Sequence, residues 1–267
     1  MGSSVTDAAP LIDARGVVKR YDDKVVLDGF DLTVNRGETC VIIGGSGSGK
    51  TTFARVLVGL ERPDAGEIWI DGVDIVRLDE RELDRVRRKF AVVFQKDALL
   101  DSISVFDNVA FPLREELHLG EHEVRARVLA ALGDLDVVDA ASNLPGELSG
   151  GMAKRVGIAR AVVTKPEILV YDEPTTGLDP VNARVVDGLI ERMRDRYGVT
   201  SIVITHDMVT AYEVADRVVL LAHGKAVAQG PPKEIFRSHG AEIEPFALSS
   251  GIDLSGLESR TARKPAA

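Results

Sequence analysis

The sequence predicts an α/β domain built on a mostly parallel β-sheet. Short apolar runs rich in β-branched residues alternate with segments of helical spacing, which is typical of parallel strands covered by helices. A glycine-rich loop also joins one such run, residues 41–43, to a predicted helix at 52–58 that stops at Gly59. The length of 267 residues and the apolar fraction of 45% allow one large α/β domain or two small ones.

The first third of the chain predicts an antiparallel β subdomain beside this sheet. Two strands flank the polar turn at 22–24, and an alternating segment at 67–70 predicts a half-exposed strand. A charged segment at 79–89 has the spacing of a surface helix. The predicted strands of this region cover residues 11–21, 25–34, a run ending at 43, 67–70 and 90–94, the last of them buried and followed by Gln95.

A helical subdomain is predicted at about residues 97–160, because strand signals stop there. One helix has Val124, Val128, Leu129 and Leu132 on one face, and another begins at Gly150. Strand and helix then alternate again. The later strands are predicted at 168–171, 201–205 and 217–221, with helices at about 182–196 and 208–215 between them.

The two ends of the chain predict little regular structure. We divide the sequence into a disordered leader at 1–10, a domain at 11–246 and a C-terminal tail at 247–267. The residues from Met1 to Thr6 match the N-myristoylation pattern, but a disordered leader explains the same small and polar residues.

The charge and the single cysteine exclude some classes of protein. The net charge of −9 does not favour nucleic-acid binding through a basic surface. Cys40 is alone, so no internal disulfide forms, and its place in an apolar run predicts a buried thiol. The sequence has no signal-peptide pattern and no apolar run of 18 residues. We therefore expect a cytoplasmic protein that reaches a membrane only through a partner.

The glycine-rich loop predicts a nucleoside-triphosphate site. Its residues fit the pattern of Gly, four residues, then Gly-Lys-Ser/Thr, and its backbone N–H groups converge on an anion at a helix N-terminus. Lys50 reaches the β- and γ-phosphates, and the Thr51 hydroxyl is a ligand for Mg²⁺. The alternative is a merely flexible loop. The residues expected to contact nucleotide here are Gly44, Gly45, Ser46, Gly47, Ser48, Gly49, Lys50, Thr51 and Thr52.

An acidic pair follows the predicted strand at 168–171. A carboxylate at the end of a buried strand beside a phosphate loop holds Mg²⁺ directly or through water, which is the role we assign to Asp172. Glu173 is the candidate base that polarises water for attack on the γ-phosphate. Without the phosphate loop, such a pair often only caps the next element.

The order of further motifs resembles that of ATP-binding-cassette (ABC) ATPases. Residues 148–152 resemble the signature motif of this family, and Asp172–Glu173 its Walker B motif. Tyr21, Gln95 and His206 stand where the family has its adenine-stacking aromatic, Q-loop glutamine and switch histidine, and 177–179 match its D-loop. The resemblance covers about residues 11–230. It implies a phosphate-loop NTPase fold of ABC type that hydrolyses ATP.

The resemblance also implies roles for individual residues, each with a simpler alternative. Tyr21 would stack on adenine, and the alternative is an ordinary strand aromatic. Gln95 would contact Mg²⁺ or water, and the alternative is a solvated loop residue. His206 would contact the γ-phosphate, although a lone histidine is more often structural. Ser149, Gly150 and Gly151 would bind the ATP held by a second subunit, or Ser149 would only cap a helix.

The arrangement implied for this family is a head-to-tail homodimer with two ATP molecules at the interface. Asp179 would lie at that interface. The dimer would drive a separate integral-membrane permease, whose helix would dock near Gln95, Leu99, Leu100 and Phe106, although these apolar side chains are equally those of a core.

The signature departs from the family pattern at Met152, where glutamine is usual. A signature that ends in Met, together with the segment 105–115, resembles the ATPases of Mla and Mce lipid-transport systems. That subgroup implies a lipid-binding Mla/Mce-type partner. The alternatives are an amino-acid or lipoprotein transporter, a soluble ABC protein of translation or DNA repair, and a non-hydrolysing interaction module.

Overall fold

The strands of the protein form two sheets. A computed structural model describes residues 9–95 and 98–238, so the predictions for 1–8 and for the tail at 247–267 lie outside the described residues. The strands are β1 Ile12–Tyr21, β2 Lys24–Val34, β3 Thr39–Ile43, β4 Ala65–Ile70, β5 Val73–Asp74, β6 Phe90–Val93, β7 Ile168–Asp172, β8 Thr200–Thr205, β9 Arg217–Ala222 and β10 Lys225–Gly230.

Helices cover the sheets and fill the stretch between β6 and β7. Short 3₁₀ turns lie at Val138–Ala140 and Pro145–Glu147. The α-helices are α1 Lys50–Leu57, α2 Glu80–Arg87, α3 Val105–Glu115, α4 Glu121–Asp134, α5 Gly150–Val162, α6 Pro180–Tyr197, α7 Met208–Val214 and α8 Pro232–Ser238.

The larger sheet has the strand order β10-β9-β3-β8-β7-β6. Strands β9, β3, β8, β7 and β6 are parallel, and β10 pairs antiparallel with β9. The predicted α/β class with a mostly parallel sheet is confirmed. Because the carboxyl ends of parallel strands meet at one edge, the loops after β3, β6, β7 and β8 share that edge.

The smaller sheet is antiparallel, with the order β2-β1-β4-β5. It confirms the predicted β subdomain. The alternation of exposed and buried residues in 67–70 is also confirmed, because Ile68 and Ile70 are buried while Glu67 and Trp69 are half-buried. Strand β5 has only two residues, too few to give a periodic signal, and β10 has an apolar run of only three residues, two of them Ala.

The central strand β3 separates two hydrophobic cores. Cys40 and Ile42 face the core under the smaller sheet, and Val41 and Ile43 face the core under the helices. Burial raises the pKa of the Cys40 thiol to about 12, as expected of an inert core cysteine. Helix α1 lies between the two sheets, with the Phe53 ring 4.6 Å from that of Phe30 in β2. This packing fixes the helix that follows the glycine-rich loop.

The described residues between β6 and β7 contain helices and no strand. Val124, Val128 and Leu132 of α4 are buried as the periodicity predicts, and Leu129 is half-buried. Helix α3 was not predicted, because Pro112 interrupts the pattern. It forms because its apolar face packs into the helical core.

Strand β6 differs from its prediction. The sequence predicts a buried strand through Phe94, but β6 ends at Val93 and is the edge strand of its sheet. Phe90, Ala91 and Val92 are half-buried, and 43% of Phe94 is exposed. Edge strands and central strands can have the same apolar run in the sequence. Only the strand order in the sheet shows that β6 is an edge strand.

None of the helices in the described ranges combines the length and the apolar character needed to span a bilayer.

Candidate functional site

A cleft of about 1550 Å³ opens at the carboxyl edge of the parallel strands. Its walls come from the loops after β3, β6, β7 and β8 and from the end of β1. Most of the residues that the sequence assigns to nucleotide lie here. Those that line the cleft are Tyr21, Gly44, Gly45, Ser46, Gly47, Gly49, Lys50, Thr51, Thr52, Gln95, Glu173 and His206.

The loop between β3 and α1 has a shape that requires glycine at two positions. A Cβ on Gly44 would lie 2.3 Å from the carbonyl oxygen of Leu221. Gly49 has φ +110°, and a Cβ there would lie 2.9 Å from the carbonyl oxygen of Val26. The hydroxyl of Ser48 within the loop is buried and has no hydrogen-bond partner among the described residues. The loop is therefore a close-packed cradle of backbone groups, which suits a phosphate chain.

Lys50 is held inside this cradle. Its Nζ donates to the carbonyl oxygens of Gly44 at 2.7 Å and Gly45 at 3.0 Å, and the residue is 7% exposed. Burial lowers the pKa of Lys50, and the nearby Glu173 and Asp172 carboxylates oppose that shift. A poorly solvated ammonium beside a glycine-rich loop favours an incoming anion.

Asp172 and Thr51 bring a carboxylate and a hydroxyl together at the end of β7. Thr51 Oγ1 lies 3.4 Å from Asp172 Oδ1 at the end of β7. Burial and the adjacent Glu173 raise the pKa of Asp172. In the chain as described, no three His, Cys, Asp or Glu residues cluster as metal ligands. The hydroxyl, the carboxylate and the Gln95 amide are oxygen donors of the kind Mg²⁺ takes together with substrate phosphates, so these residues fit that ion.

Glu173 and His206 are in contact at the ends of the neighbouring strands β7 and β8. Glu173 Oε2 lies 2.8 Å from His206 Nδ1 and accepts from the Thr176 hydroxyl at 3.1 Å. The backbone of Glu173 has φ +51°, and its N–H donates to the carbonyl of Ile204 in β8. Glu173 therefore combines a left-handed backbone with a side chain that lines the cleft, an arrangement often found at functional sites.

Tyr21 and Gln95 both line the cleft. Tyr21 is 41% exposed, and its hydroxyl donates to Glu61. Gln95 is exposed, and its backbone carbonyl oxygen accepts a hydrogen bond from the Lys154 ammonium in α5. Tyr21 is therefore a surface aromatic available for stacking rather than a core residue.

The signature residues do not line this cleft. Ser149 and Gly150 are exposed at the start of α5, where Ser149 Oγ accepts from the Met152 N–H at 3.3 Å. Gly151 packs closely against α6, since a Cβ there would lie 2.9 Å from Asn182 Oδ1. Asp179 is also exposed and caps α6. One copy of the chain thus leaves Ser149, Gly150, Gly151 and Asp179 outside the cleft. Two further predicted site residues do not line it but lie next to it: Ser48 is within the glycine-rich loop, and Asp172 contacts Thr51.

Three charged residues near the site were not identified from the sequence. Lys154 is buried on α5 and holds the backbone of Gln95, while Arg184 and Asp207 line the cleft beside His206. Asp207 has a detectable signal, because an Asp that precedes a helical segment is a common N-cap. Lys154 and Arg184 have none, because a basic residue in a helical pattern is usually on a solvated face.

Comparisons with known proteins agree with this geometry. Residues 27–176 match the family described as ABC transporter. The chain is 40% identical, over 88% of its length and 89% of the relative's, to the intermembrane phospholipid transport system ATP-binding protein MlaF of Haemophilus influenzae. It is also 41% identical to the methionine import ATP-binding protein MetN of Carboxydothermus hydrogenoformans, over 79% of this chain and 62% of that protein.

Solved structures show the same fold. The dimeric structure of MJ0796, a bacterial ABC transporter cassette, superposes with a TM-score of 0.76 at 31% identity and covers 83% of this chain and 98% of that one. A post-hydrolysis dimer of the same cassette, bound to ADP and Pi, gives a TM-score of 0.75. With the cradle, the acidic pair and these likenesses in place, the chain belongs to the ABC transporter family, as an ATP-binding subunit with ATPase activity.

Proposed function

We propose that this protein is the ATPase subunit of a phospholipid or lipid transporter of Mla/Mce type, and that two copies close head to tail around two ATP molecules to drive a separate permease. The observation that carries the proposal is the division of the site. One cleft holds the phosphate cradle, Glu173 and His206, with Asp172 in contact with Thr51 beside it, while the exposed signature at Ser149 and Gly150 lies elsewhere on the same copy.

The chain's own residues divide the work of hydrolysis. The loop N–H groups and Lys50 bind and neutralise the phosphates, and Tyr21 stacks on the adenine ring. Thr51, Asp172 and Gln95 would hold Mg²⁺, which when bound neutralises charge on the β- and γ-phosphate oxygens. Glu173 orients and polarises the attacking water, and His206 contacts the γ-phosphate and holds the Glu173 carboxylate at 2.8 Å.

The dimer is proposed because one copy has only part of a site. Ser149 and Gly150 present a helix N-terminus and a hydroxyl to solvent, which together suit a bound anion. They lie outside the cleft whose loop would hold the phosphates of ATP on the same copy. In a head-to-tail pair each signature would face the γ-phosphate on the partner's cradle, with Asp179 at the interface. ATP then favours the closed dimer, and loss of the γ-phosphate releases it. MJ0796 is a dimer in its solved structures.

The dimer is tested with the variant Glu173→Gln. The amide keeps the shape of the side chain but is a much weaker base, so we expect ATP binding to persist and turnover to fall by roughly 10²- to 10⁴-fold. Light scattering after size exclusion should show a dimer with ATP and Mg²⁺ and a monomer without nucleotide. The control is Glu167→Gln, which precedes the same strand at its other end. Unchanged turnover in Glu173→Gln, or no ATP-dependent dimer, contradicts the proposal.

The permease would dock beside β6. Phe94 and Leu100 are each 43% exposed, whereas Leu99 and Phe106 pack partly against the helical core. Asn108 is fully buried and accepts from the Leu100 N–H at 2.7 Å, which holds this apolar surface in place. A cavity of about 370 Å³ beside Phe94 also reaches Thr51 and Asp172. A permease helix here would therefore sense the state of the ATP site.

Lipid is the proposed cargo, and methionine or another amino acid is the alternative. The identity to MlaF and to MetN is nearly the same, so it does not decide between them. Two observations favour lipid: the chain spans 89% of MlaF but 62% of MetN, and Met152 stands where the signature usually has glutamine. We propose that the subunit works at the cytoplasmic face of the membrane, held there by the permease, with no role for nucleic acid.

Copurification distinguishes the two cargoes. A tagged chain expressed in its own host should bring down a permease and a lipid-binding Mla/Mce-type protein, with phospholipid detected by mass spectrometry. A permease with an amino-acid-binding protein would support the methionine alternative. Recovery of ribosomes instead of a permease would contradict both.

A further inference from the structure

Four polar residues form a partly buried cluster beside His206, which we call the switch-anchor cluster: Arg184 and Asp187 of α6, Asp207, and Thr210 of α7. Asp187 and Thr210 are buried, whereas Arg184 and Asp207 are half-buried and line the cleft. Arg184 Nη2 lies 2.5 Å from Asp207 Oδ2 and 3.4 Å from Thr210 Oγ1. Arg184 Nη1 lies 2.7 Å from Asp187 Oδ2, as a close ion pair without the alignment of a hydrogen bond. One guanidinium therefore joins two carboxylates on different elements.

Asp207 connects this cluster to the proposed catalytic pair. It follows His206 directly, and its Oδ1 accepts from the N–H groups of Val209 and Thr210, so it caps α7. The Asp207 N–H donates to the Thr205 hydroxyl at 2.9 Å. The backbone on both sides of His206 is thus fixed by Asp207, and Asp207 is held from α6 by Arg184.

The burial of Asp187 indicates that its ion pair with Arg184 has a purpose other than stability. Asp187 is 5% exposed, and burial raises its pKa to about 6 despite the adjacent Arg184. Removing such charges from water costs about as much as their attraction returns, so a buried ion pair adds little net stability. The geometry of such an ion pair instead fixes its two side chains in one position relative to each other.

We propose that Arg184 is a positioning residue for ATP hydrolysis. By its ion pair with Asp207 it fixes the loop that holds the His206 ring in contact with Glu173. This inference rests on the roles proposed above for His206 and Glu173. Asp179 caps the same helix five residues before Arg184. The cluster therefore also joins the proposed dimer interface to the switch histidine.

The test separates positioning from folding with two variants and one control. Arg184→Gln breaks both ion pairs but leaves Asp187 as a buried charge without its cation. The double variant R184Q/D187N removes that charge as well, so melting temperature should fall in the single variant and recover in the double one. The matched control is Arg192→Gln on the same helix, where Arg192 pairs with Asp136 at 3.0 Å away from the cleft.

Positioning predicts a specific kinetic result. In R184Q/D187N, kcat for ATP should fall roughly ten-fold while KM stays within about two-fold, because the phosphate cradle is untouched. Arg184→Lys should restore part of kcat, since it keeps a cation near Asp207. Arg192→Gln should behave as wild type. A double variant with kcat within two-fold of wild type overturns the inference, as does a fall in the Arg192→Gln control of the same size.

A second readout does not depend on turnover. The ring resonances of His206, identified by their disappearance in His206→Gln, should shift in R184Q/D187N and stay in place in Arg192→Gln. Unmoved resonances overturn the inference even if kcat falls. Failure of the proposed function would give a different result, namely wild-type protein without ATPase activity or His206→Gln with full activity. In either case the His206 resonances would still show whether Arg184 positions the loop.

Discussion

The two edges of the parallel sheet both carry charged residues, but they use them in opposite ways. At the amino edge, Arg36, Asp71, Lys89 and Glu167 form a ring of alternating charge in which each residue contacts two of opposite sign. At the carboxyl edge, Lys50 is bonded to backbone carbonyls, and Asp172 lies 3.4 Å from the Thr51 hydroxyl. Glu173 is in contact with His206 there, but in the described part of the chain Lys50 and Asp172 form no ion pair. The ring is thus fully paired, whereas Lys50 and Asp172 remain available.

The direction of the pKa shifts reports this difference. The hydrogen bond with Lys89 lowers the pKa of Asp71, and the same bond raises the pKa of Lys89, so pairing favours the charged forms. At the carboxyl edge burial lowers the pKa of Lys50 and raises that of Asp172, so the neutral forms are favoured. The shifts caused by pairing match a structural network, whereas the burial of Lys50 and Asp172 beside the phosphate cradle suits groups that bind a charged ligand.

The largest test of this comparison replaces one lysine at each edge. Lys50→Ala removes the ammonium that neutralises the phosphates, so ATP turnover should fall by roughly 100-fold or more. Lys89→Ala should leave turnover within about two-fold, because its contacts are with Asp71 and Glu167 only. Steady-state phosphate release measures both. Equal losses would show that the ring at the amino edge takes part in function.

A second test uses the opposite shifts of two aspartates. The folded pKa of Asp172 lies above its unfolded value, so its ionised form destabilises the nucleotide-free protein at neutral pH. Asp172→Asn should therefore raise the melting temperature at pH 7 by roughly 1–4 °C. The gain should shrink as the pH falls through the raised pKa, because the wild-type carboxyl then protonates in the folded state.

Asp71→Asn should show the opposite sign. The folded pKa of Asp71 lies below its unfolded value, so its stabilising effect is present above about pH 4 and is lost as the pH falls through the folded pKa. The variant should melt lower than wild type at pH 7, with a difference that disappears in acid. Thermal scans of both variants between neutral and acidic pH measure this, and shifts of the same sign would remove the contrast between the edges.

The smallest expected effect concerns the ring itself. Glu167→Gln loses contacts to Arg36 at 3.0 Å and Lys89 at 3.2 Å, all between partly exposed groups. The free energy of unfolding should fall by less than about 1 kcal/mol. The loss should disappear near 1 M salt, where the screening length is about 3 Å. Urea unfolding at low and high salt checks this, and a salt-independent loss would mean that the ring is effectively buried.

Most of the cleft was predictable because its residues lie at fixed spacings in short segments. Gly44, Gly49 and Lys50 belong to one segment whose shape depends on neighbouring residues, and Asp172 is the last residue of a strand that is otherwise apolar and buried. Parallel strands bring such loops to one edge whatever their order. The local sequence pattern therefore predicted both the chemical groups of the cleft and the sheet edge at which they lie.

The residues that were missed depend on contacts far along the chain. Lys154 reaches the backbone of Gln95, and Arg184 reaches Asp207, but each looks like an ordinary basic residue on a helix. The exposure of Phe94 follows from β6 being the edge strand. None of these relations leaves a trace in residue spacing.

The sequence by itself determined the fold class, the phosphate cradle, the acidic pair and the order of the family's motifs, because each is encoded by neighbouring residues and backbone geometry. The tertiary structure alone decided which motifs share a cleft, which are left for a second copy, and which charges are paired. Those outcomes depend on how helices and strands pack, since a charge is neutralised or left available by its neighbours in space and not by those in sequence.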